Sequence, residues 1–278
     1  MPDAVLAGSG ANADSRRVLL RNAVTVRGPE RAPVLVFGHG YGTDQSIWSA
    51  IAERFIDEYR VVLFDYVGSG ASDIDAYDPA RYDSFDGYAS DIIEVLDALG
   101  LRQVSFIAHS ASGMISAVAA IRRPDLFARL IMLCPSPCYV DDGDYRGGFS
   151  REDVLDLLAG IDANQPSWAA TLAPAMTARA DLPEVSDRVR RHLATAPHHV
   201  AKHFARVVFL SDMRHRLADV GVPCVVMQPS GDIICPPHIG VYLRDHLRDC
   251  KLIELDSSGH FVHLTEPELI TGHIRASL

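Results

Sequence analysis

The stretch Phe106-Ile-Ala-His-Ser-Ala-Ser-Gly113 passes from an apolar, strand-like run through a single serine into an Ala/Ile-rich helical segment, with no loop between them. A chain that goes from strand to helix in one residue must turn sharply, and only small side chains fit beside the turning residue. The usual pattern for such a turn is G-x-S-x-G, whereas here Ala108 and Ser112 stand in the glycine positions. These are the next smallest residues, so the turn stays sterically open, with Ser112 the tighter fit. The geometry would lift the Ser110 hydroxyl clear of the sheet and leave the Ala111 amide pointing where an oxyanion could form. It also commits this part of the chain to a strand–helix unit, and so to a sheet covered by helices.

Short β-branched runs alternate with longer amphipathic stretches on both sides of this turn, as expected for a mostly parallel sheet with helices on both faces. Residues 33–37, 60–64, 103–108, 129–134, 223–228 and 251–255 read as strands. Their near-continuous apolar character fits burial on both faces. Residues 18–26 read as an early antiparallel strand, and residues 84–99 as a helix closed by Gly100. Between residues 139 and 215 the periodicity is helical and no convincing strand occurs, so an inserted helical cap is expected there. The predicted organisation is a disordered tail over 1–17, an α/β core over 18–138 and 216–278, and a cap over 139–215.

Composition narrows the function classes. With 278 residues, 48% of them hydrophobic and 22% charged, the chain suits one large globular α/β domain with an insertion. A net charge of -10 and the lack of any Lys/Arg run with interleaved aromatics argue against nucleic acid or an anionic membrane as partner. No apolar run approaches the roughly 20 residues of a membrane span. Residues 1–17 lack a basic, then apolar, leader pattern, so a cytoplasmic location is expected. Five cysteines without paired spacing read as reduced thiols. His199 and His203 are spaced i, i+4 beside His198, but the glutamate of HExxH is missing, so a solvated helix face is the better reading. A dinucleotide loop would need a third glycine where Thr43 follows Gly38 and Gly40. Neither a metal nor an organic cofactor is expected.

The partners of Ser110 should lie at carboxyl ends of strands, in the chain order Ser, acid, His. Asp232, in Ser230-Gly-Asp-Ile-Ile234, and His260, in Ser257-Ser-Gly-His-Phe261, both occupy such positions. The rival acid position after residues 129–134 offers no carboxylate before Asp141, so Asp232 is preferred. The loop Phe37-Gly-His-Gly-Tyr-Gly42 supplies a second oxyanion amide, that of Tyr41, because glycine lets backbone approach a reacting carbonyl closely. A serine hydroxyl becomes nucleophilic when a histidine takes its proton, and an acid fixes the tautomer and steadies the imidazolium. A lone serine or aspartate at such places is usually only a cap or turn residue. It is the ordered combination with the glycine loop that points to catalysis. His39 and His109 read as packing and hydrogen-bonding residues, and His263 as part of a helix start.

Several longer stretches carry a more specific likeness. Gly38-His-Gly-Tyr-Gly-Thr-Asp-Gln-Ser-Ile-Trp48, Leu63-Phe-Asp-Tyr-Val-Gly-Ser-Gly70, Ser136-Pro-Cys-Tyr-Val-Asp141, Tyr145-Arg-Gly-Gly-Phe149 and Phe209-Leu-Ser-Asp-Met-Arg214 resemble the α/β-hydrolase subfamily of the bacterial stress regulator RsbQ and the plant karrikin and strigolactone receptors. The likeness runs from about Arg21 nearly to the C-terminus. It implies an α/β-hydrolase fold with a Ser-His-Asp core under a cap of about four helices. The family's nucleophile, acid and base fall on Ser110, Asp232 and His260, and its oxyanion amides on Tyr41 and Ala111. Its pocket lining falls on Tyr41, Tyr139, Phe149, Leu157, Trp168, Val208, Phe209 and Ile233. Leu172 and Val189 stand where the karrikin receptors tend to carry phenylalanines, which would reshape the pocket. The expected partner is a small hydrophobic ester or lactone. Two functions follow: hydrolysis of that ligand, or a ligand-responsive signal passed to a regulatory phosphatase or sensor protein.

Overall fold

The structure, a computed structural model, describes residues 12–278. Strands Thr25–Arg27 (β1), Val34–Gly38 (β2), Arg60–Leu63 (β3), Val104–His109 (β4), Phe127–Leu133 (β5), Cys224–Gly231 (β6) and Cys250–Ser258 (β7) form a seven-stranded sheet in the order β1-β3-β2-β4-β5-β6-β7. Only β1 runs antiparallel, against β3; every other pairing is parallel. The helices are Ala13–Arg21 (α1), Ser49–Ala52 (α2), Phe85–Ala98 (α3), Ala111–Arg122 (α4), Arg151–Thr177 (α5), Pro183–Thr195 (α6), His198–Phe209 (α7), Pro237–His246 (α8), Val262–Thr265 (α9) and Pro267–Arg275 (α10).

Side chains alternate across each strand, so neighbours in sequence enter opposite halves of the core. Val36 and Phe106 join one apolar cluster, with Ile92 of α3 and Met114 and Val118 of α4. Phe37 and Ile107 join the other, with Trp48, Ile51, Phe55, Ile270 and Ile274. Both faces are therefore covered, which explains the nearly unbroken hydrophobic strands. Strand order reverses direction around β2 and β4, creating the crevice outside the strand carboxyl ends where such sheets bind ligands.

Helices α5 to α7 form the insertion between β5 and β6. Ser150 starts α5 with a reciprocal capping box to Asp153. The helix is broken at Asn164 (φ -161°, ψ 82°), just before Pro166, whose ring cannot continue the hydrogen-bond ladder. The insertion thus has four helical pieces in three continuous stretches.

The N-terminal expectation needs correction. Residues 1–11 of the predicted tail lie outside the described residues, but residues 13–17 belong to α1, and residues 18–21 continue this helix instead of opening a strand. The Asn12 side chain caps it by accepting from the Ser15 amide, and Leu19 is buried. Valines at 18, 24 and 26 suggested a strand by their β propensity, yet only Thr25–Arg27 pairs with β3. Tertiary contact decides the matter. Arg21 reaches α3, where it bonds Glu94 at 2.7 Å and the buried Asp91 at 3.3 Å.

Asp91 also meets Arg81 at 3.2 Å, the Tyr82 hydroxyl at 2.9 Å and the Val67 amide at 3.2 Å. Burial pushes its carboxyl up and the Arg21 guanidinium opposes that shift. Asp91→Ala should lower unfolding free energy by about 3 kcal/mol, the lower end for breaking a buried ion pair, because Glu94 still holds both arginines. Urea denaturation checks the value.

Candidate active site

Ser110 sits between the end of β4 and the start of α4 at φ 54°, ψ -124°. A non-glycine residue in such a region costs on the order of 1–3 kcal/mol and persists only where its surroundings over-determine it. Here the Ser110 amide donates to the Leu133 carbonyl of β5 at 2.9 Å, and the Ser110 carbonyl accepts from Gly113 at 2.9 Å. Ser112 was expected merely to tighten the turn. Its hydroxyl is instead 2.6 Å from the Tyr66 hydroxyl, and it fills space that a side chain at Gly38 would need. Glycine at 38 and serine at 112 are therefore complementary.

The loop after β6 and the loop after β7 bring Asp232 and His260 to this turn. His260 Nε2 is 2.8 Å from Ser110 Oγ, and His260 Nδ1 is 2.7 Å from Asp232 Oδ2. The remaining carboxylate oxygen, Asp232 Oδ1, accepts from the amides of Ile234 and Cys235 at 2.8 and 3.1 Å. All three side chains are buried. Gly259, at φ 93°, lets the preceding backbone run against the end of α5, where the His260 amide donates to the Met176 carbonyl at 2.6 Å. The rival Asp141 is engaged elsewhere, accepting from the amides of Gly147 and Gly148.

The glycine loop passes close over Ser110. A Cβ at Gly40 would lie 3.1 Å from Ser110 Cβ and 2.9 Å from His109 Nδ1, so a side chain there would force the loop away. Neither the Tyr41 amide nor the Ala111 amide donates to another group among the described residues. His39 holds the loop by donating from Nδ1 to the Gly40 carbonyl at 2.9 Å while its Nε2 accepts from the Tyr66 amide at 3.1 Å. Trp48 Nε1 donates to the Gly38 carbonyl at 3.1 Å.

Two more histidines surround His260. His109 Nε2 donates to the His260 carbonyl at 2.8 Å, and the His109 ring lies 4.9 Å from His260 and 4.4 Å from His263. Burial, reinforced by the neighbouring imidazoles, holds both His109 and His263 well below the usual histidine range. They stay neutral. Cys134 and Cys235 flank Asp232, and burial followed by its negative charge pushes both thiols well up, so they remain protonated. His260 belongs to two groups whose donor atoms lie close enough for an ion, one with His109 and Cys134, the other with Asp232 and Cys235. In both, the His260 nitrogens are already committed to Ser110 and Asp232.

The expected pocket residues divide. The hydroxyl of Tyr139 faces Ser110 and Cys235. Its ring meets Phe209 at 5.1 Å; Phe209 meets Tyr41 at 6.0 Å, and Tyr41 meets Trp168 at 6.4 Å. A continuous aromatic path thus leads from Ser110 into the insertion. Phe149 adjoins it through backbone bonding to Tyr139, Leu157 is half-buried and Val208 is fully buried. Ile233, although next to Asp232, is 48% exposed. Phe204 was not anticipated, yet it meets Tyr41 at 5.7 Å and stacks on Tyr88 at 4.3 Å. Nothing in local sequence distinguishes it from any apolar residue of an amphipathic helix.

A profile for the alpha/beta hydrolase fold matches residues 33–267. The chain is an α/β hydrolase. It is 36% identical to the probable esterase D14L of Oryza sativa subsp. japonica over 247 residues, covering 88% of this chain and 91% of that protein. Identity to the strigolactone esterase D14 of Arabidopsis thaliana is also 36%, over 88% of this chain and 92% of the relative. Among solved structures, a hydrolase from Oleispira antarctica superposes with a TM-score of 0.91 at 34% identity, covering 95% and 96% of the two chains. This α/β hydrolase therefore belongs with the strigolactone- and karrikin-receptor-like branch.

Removing the Ser112 hydroxyl should leave the buried Tyr66 hydroxyl without a partner. Ser112→Gly and Tyr66→Phe are each expected to cost about 1–3 kcal/mol, and the double variant less than their sum, because the second change removes a bond already lost. Thermal melts of the four proteins measure the coupling; fully additive losses would separate the two side chains.

Proposed function

We propose that this α/β hydrolase cleaves a small apolar ester or lactone, with Ser110 as nucleophile, His260 as base and then acid, and Asp232 as its orienting anion. The reading rests on the hydrogen-bonded chain from Ser110 Oγ through both nitrogens of His260 to Asp232, beside two amides with no acceptor. With the Nδ1 proton donated to Asp232, Nε2 is the nitrogen left to receive the serine proton. Oγ attacks the carbonyl carbon, and the resulting oxyanion turns toward the amides of Tyr41 and Ala111. Such donors typically lower the barrier by about 3–4 kcal/mol each. The imidazolium then protonates the departing alcohol, and a water activated by His260 releases the acyl group; from a lactone, both ends leave as one hydroxy acid. Neutral His109 and His263 add no positive charge to oppose imidazolium formation.

In this reading residues 18–138 and 216–278 are the catalytic core and residues 139–215 the cap. Tyr41, Tyr139, Trp168 and Phe209 supply an apolar, aromatic wall suited to a small hydrophobic ligand, with Phe149, Leu157, Val208 and Ile233 at its margins. A second reading, an RsbQ-like signalling protein, is favoured by direct cap-to-site bonds. The Met176 carbonyl accepts from the His260 amide, and the Ala201 carbonyl accepts from the Tyr41 hydroxyl at 3.1 Å. Ligand turnover or occupancy could then alter the surface presented to a regulatory phosphatase or sensor protein. No helix among the described residues is long and apolar enough to cross a membrane.

A fluorophosphonate probe should label Ser110 alone, and His260→Ala should abolish labelling; mass spectrometry of the labelled peptide reads both. Asp232→Asn should reduce hydrolysis of an aryl ester about 10⁴-fold. Label on another serine, or an Asp232→Asn protein of full activity, would refute the assignment.

Trp168 separates a ligand wall from cap filler. Trp168→Ala should weaken binding of small apolar esters at least tenfold while Ser110 stays reactive toward a small acylating probe. If the ring served only the cap's own core, its loss would cost about 3–5 kcal/mol of stability and impair every substrate alike. A melt and a ligand titration on the same variant distinguish the two.

A further inference from the structure

A groove of about 830 Å³ lies away from Ser110, between α1 and residues 73–82, with Arg16, Arg17, Leu20, Arg21, Arg81 and Tyr82 in its walls. Four guanidiniums converge there although the chain carries a net charge of -10. Asp73 is the one carboxylate among the lining residues. The arginines are not equivalent. Arg21 and Arg81 are held by Asp91 and Glu94 behind the groove. Arg16 and Arg17, side by side in the middle of α1 and both in the groove wall, have no carboxylate partner among the described residues. Arg81 Nε is moreover a buried donor with no acceptor.

Apolar surface adjoins this charge. Leu20, in the groove wall, is 55% exposed, and Ile74, next to the lining residue Asp73, is 39% exposed. Water-exposed leucine and isoleucine beside unpaired guanidiniums form a two-part surface, one part suited to an anion and the other to hydrocarbon. The volume falls within the roughly 300–1,000 Å³ of small-molecule sites, which favours a compact ligand over a protein segment.

We propose that this groove binds a small organic anion, a phosphate or carboxylate joined to a short apolar chain, with Arg16 and Arg17 on the charged head and Leu20 and Ala76 against the tail. Guanidinium groups suit this head because their planar donors meet two oxygens at once. The site stands independently of the hydrolase chemistry, since none of its residues contacts Ser110, Asp232 or His260.

Isothermal titration of the full chain with hexyl phosphate at low salt tests the proposal, with inorganic phosphate and hexanol titrated in parallel. Hexyl phosphate should bind at a single site and at least about tenfold more tightly than either control, the scale of one charge-assisted hydrogen bond against hexanol and of about two buried methylenes against inorganic phosphate. Arg16→Gln/Arg17→Gln should weaken it by a similar factor with an unchanged melting temperature, whereas Trp168→Ala should leave it intact. Hexanoate in place of hexyl phosphate tells a carboxylate head from a phosphate head. Absence of hexyl phosphate binding, undiminished binding in the double arginine variant, or loss of binding in Trp168→Ala would each overturn the proposal.

Discussion

A serine held at φ 54° is the constraint on which the rest of the site depends. Left to itself the residue would relax into an ordinary helical or extended conformation, and its hydroxyl would swing away from His260. Parallel pairing prevents this. β4 is clamped between β2 and β5, with Ala108 opposite Gly38 on one side and Met132 on the other, and the Ser110 amide is tied to Leu133. The helix that begins at Ala111 then has a single direction open to it. Burial of α4 against the sheet supplies the free energy that offsets the strained turn.

The same close packing governs the electrostatics. The His109 ring centre lies 4.9 Å from that of His260 and 4.4 Å from that of His263, an arrangement that would be strongly repulsive if all carried charge. Burial removes the difficulty by keeping His109 and His263 neutral. His109 also spends its Nε2 proton on the His260 carbonyl, so it fixes the backbone of His260 without competing for Ser110. Asp232 uses one oxygen for His260 and the other for two backbone amides, which gives its charge a fixed position. Each group is held by partners that leave one function free.

The helical insertion contributes to this rigidity. The C-terminal end of α5 accepts from the backbone of His260, and α7 accepts from the Tyr41 hydroxyl. Aromatic contacts then run from Tyr139 through Phe209 and Tyr41 to Trp168. A shift of the insertion would therefore be felt by both the histidine loop and the glycine loop. That coupling makes hydrolysis and signalling compatible uses of one arrangement.

Much of this is legible in the sequence. The strand–serine–helix run, the glycine loop and the order of Ser110, Asp232 and His260 are local patterns tied to strand ends, and a parallel sheet brings strand ends together without further instruction. The likeness to known receptors rests on equally local motifs. The features that leave no local mark in the sequence depend on contacts between distant segments. α1 reads in sequence as the end of a tail and the start of a strand because its helix is secured by Arg21 on α3, seventy residues away. The bond between Ser112 and Tyr66, the proximity of Cys134 and Cys235 to Asp232, and the contact of Phe204 with Tyr41 carry no mark in their own neighbourhoods. Sequence alone determined the order of elements and the chemical types at the strand ends, because periodicity and turn stereochemistry act over a few residues. Only the tertiary structure decided which buried donor meets which acceptor, because those pairings depend on the three-dimensional packing of elements far apart in the chain.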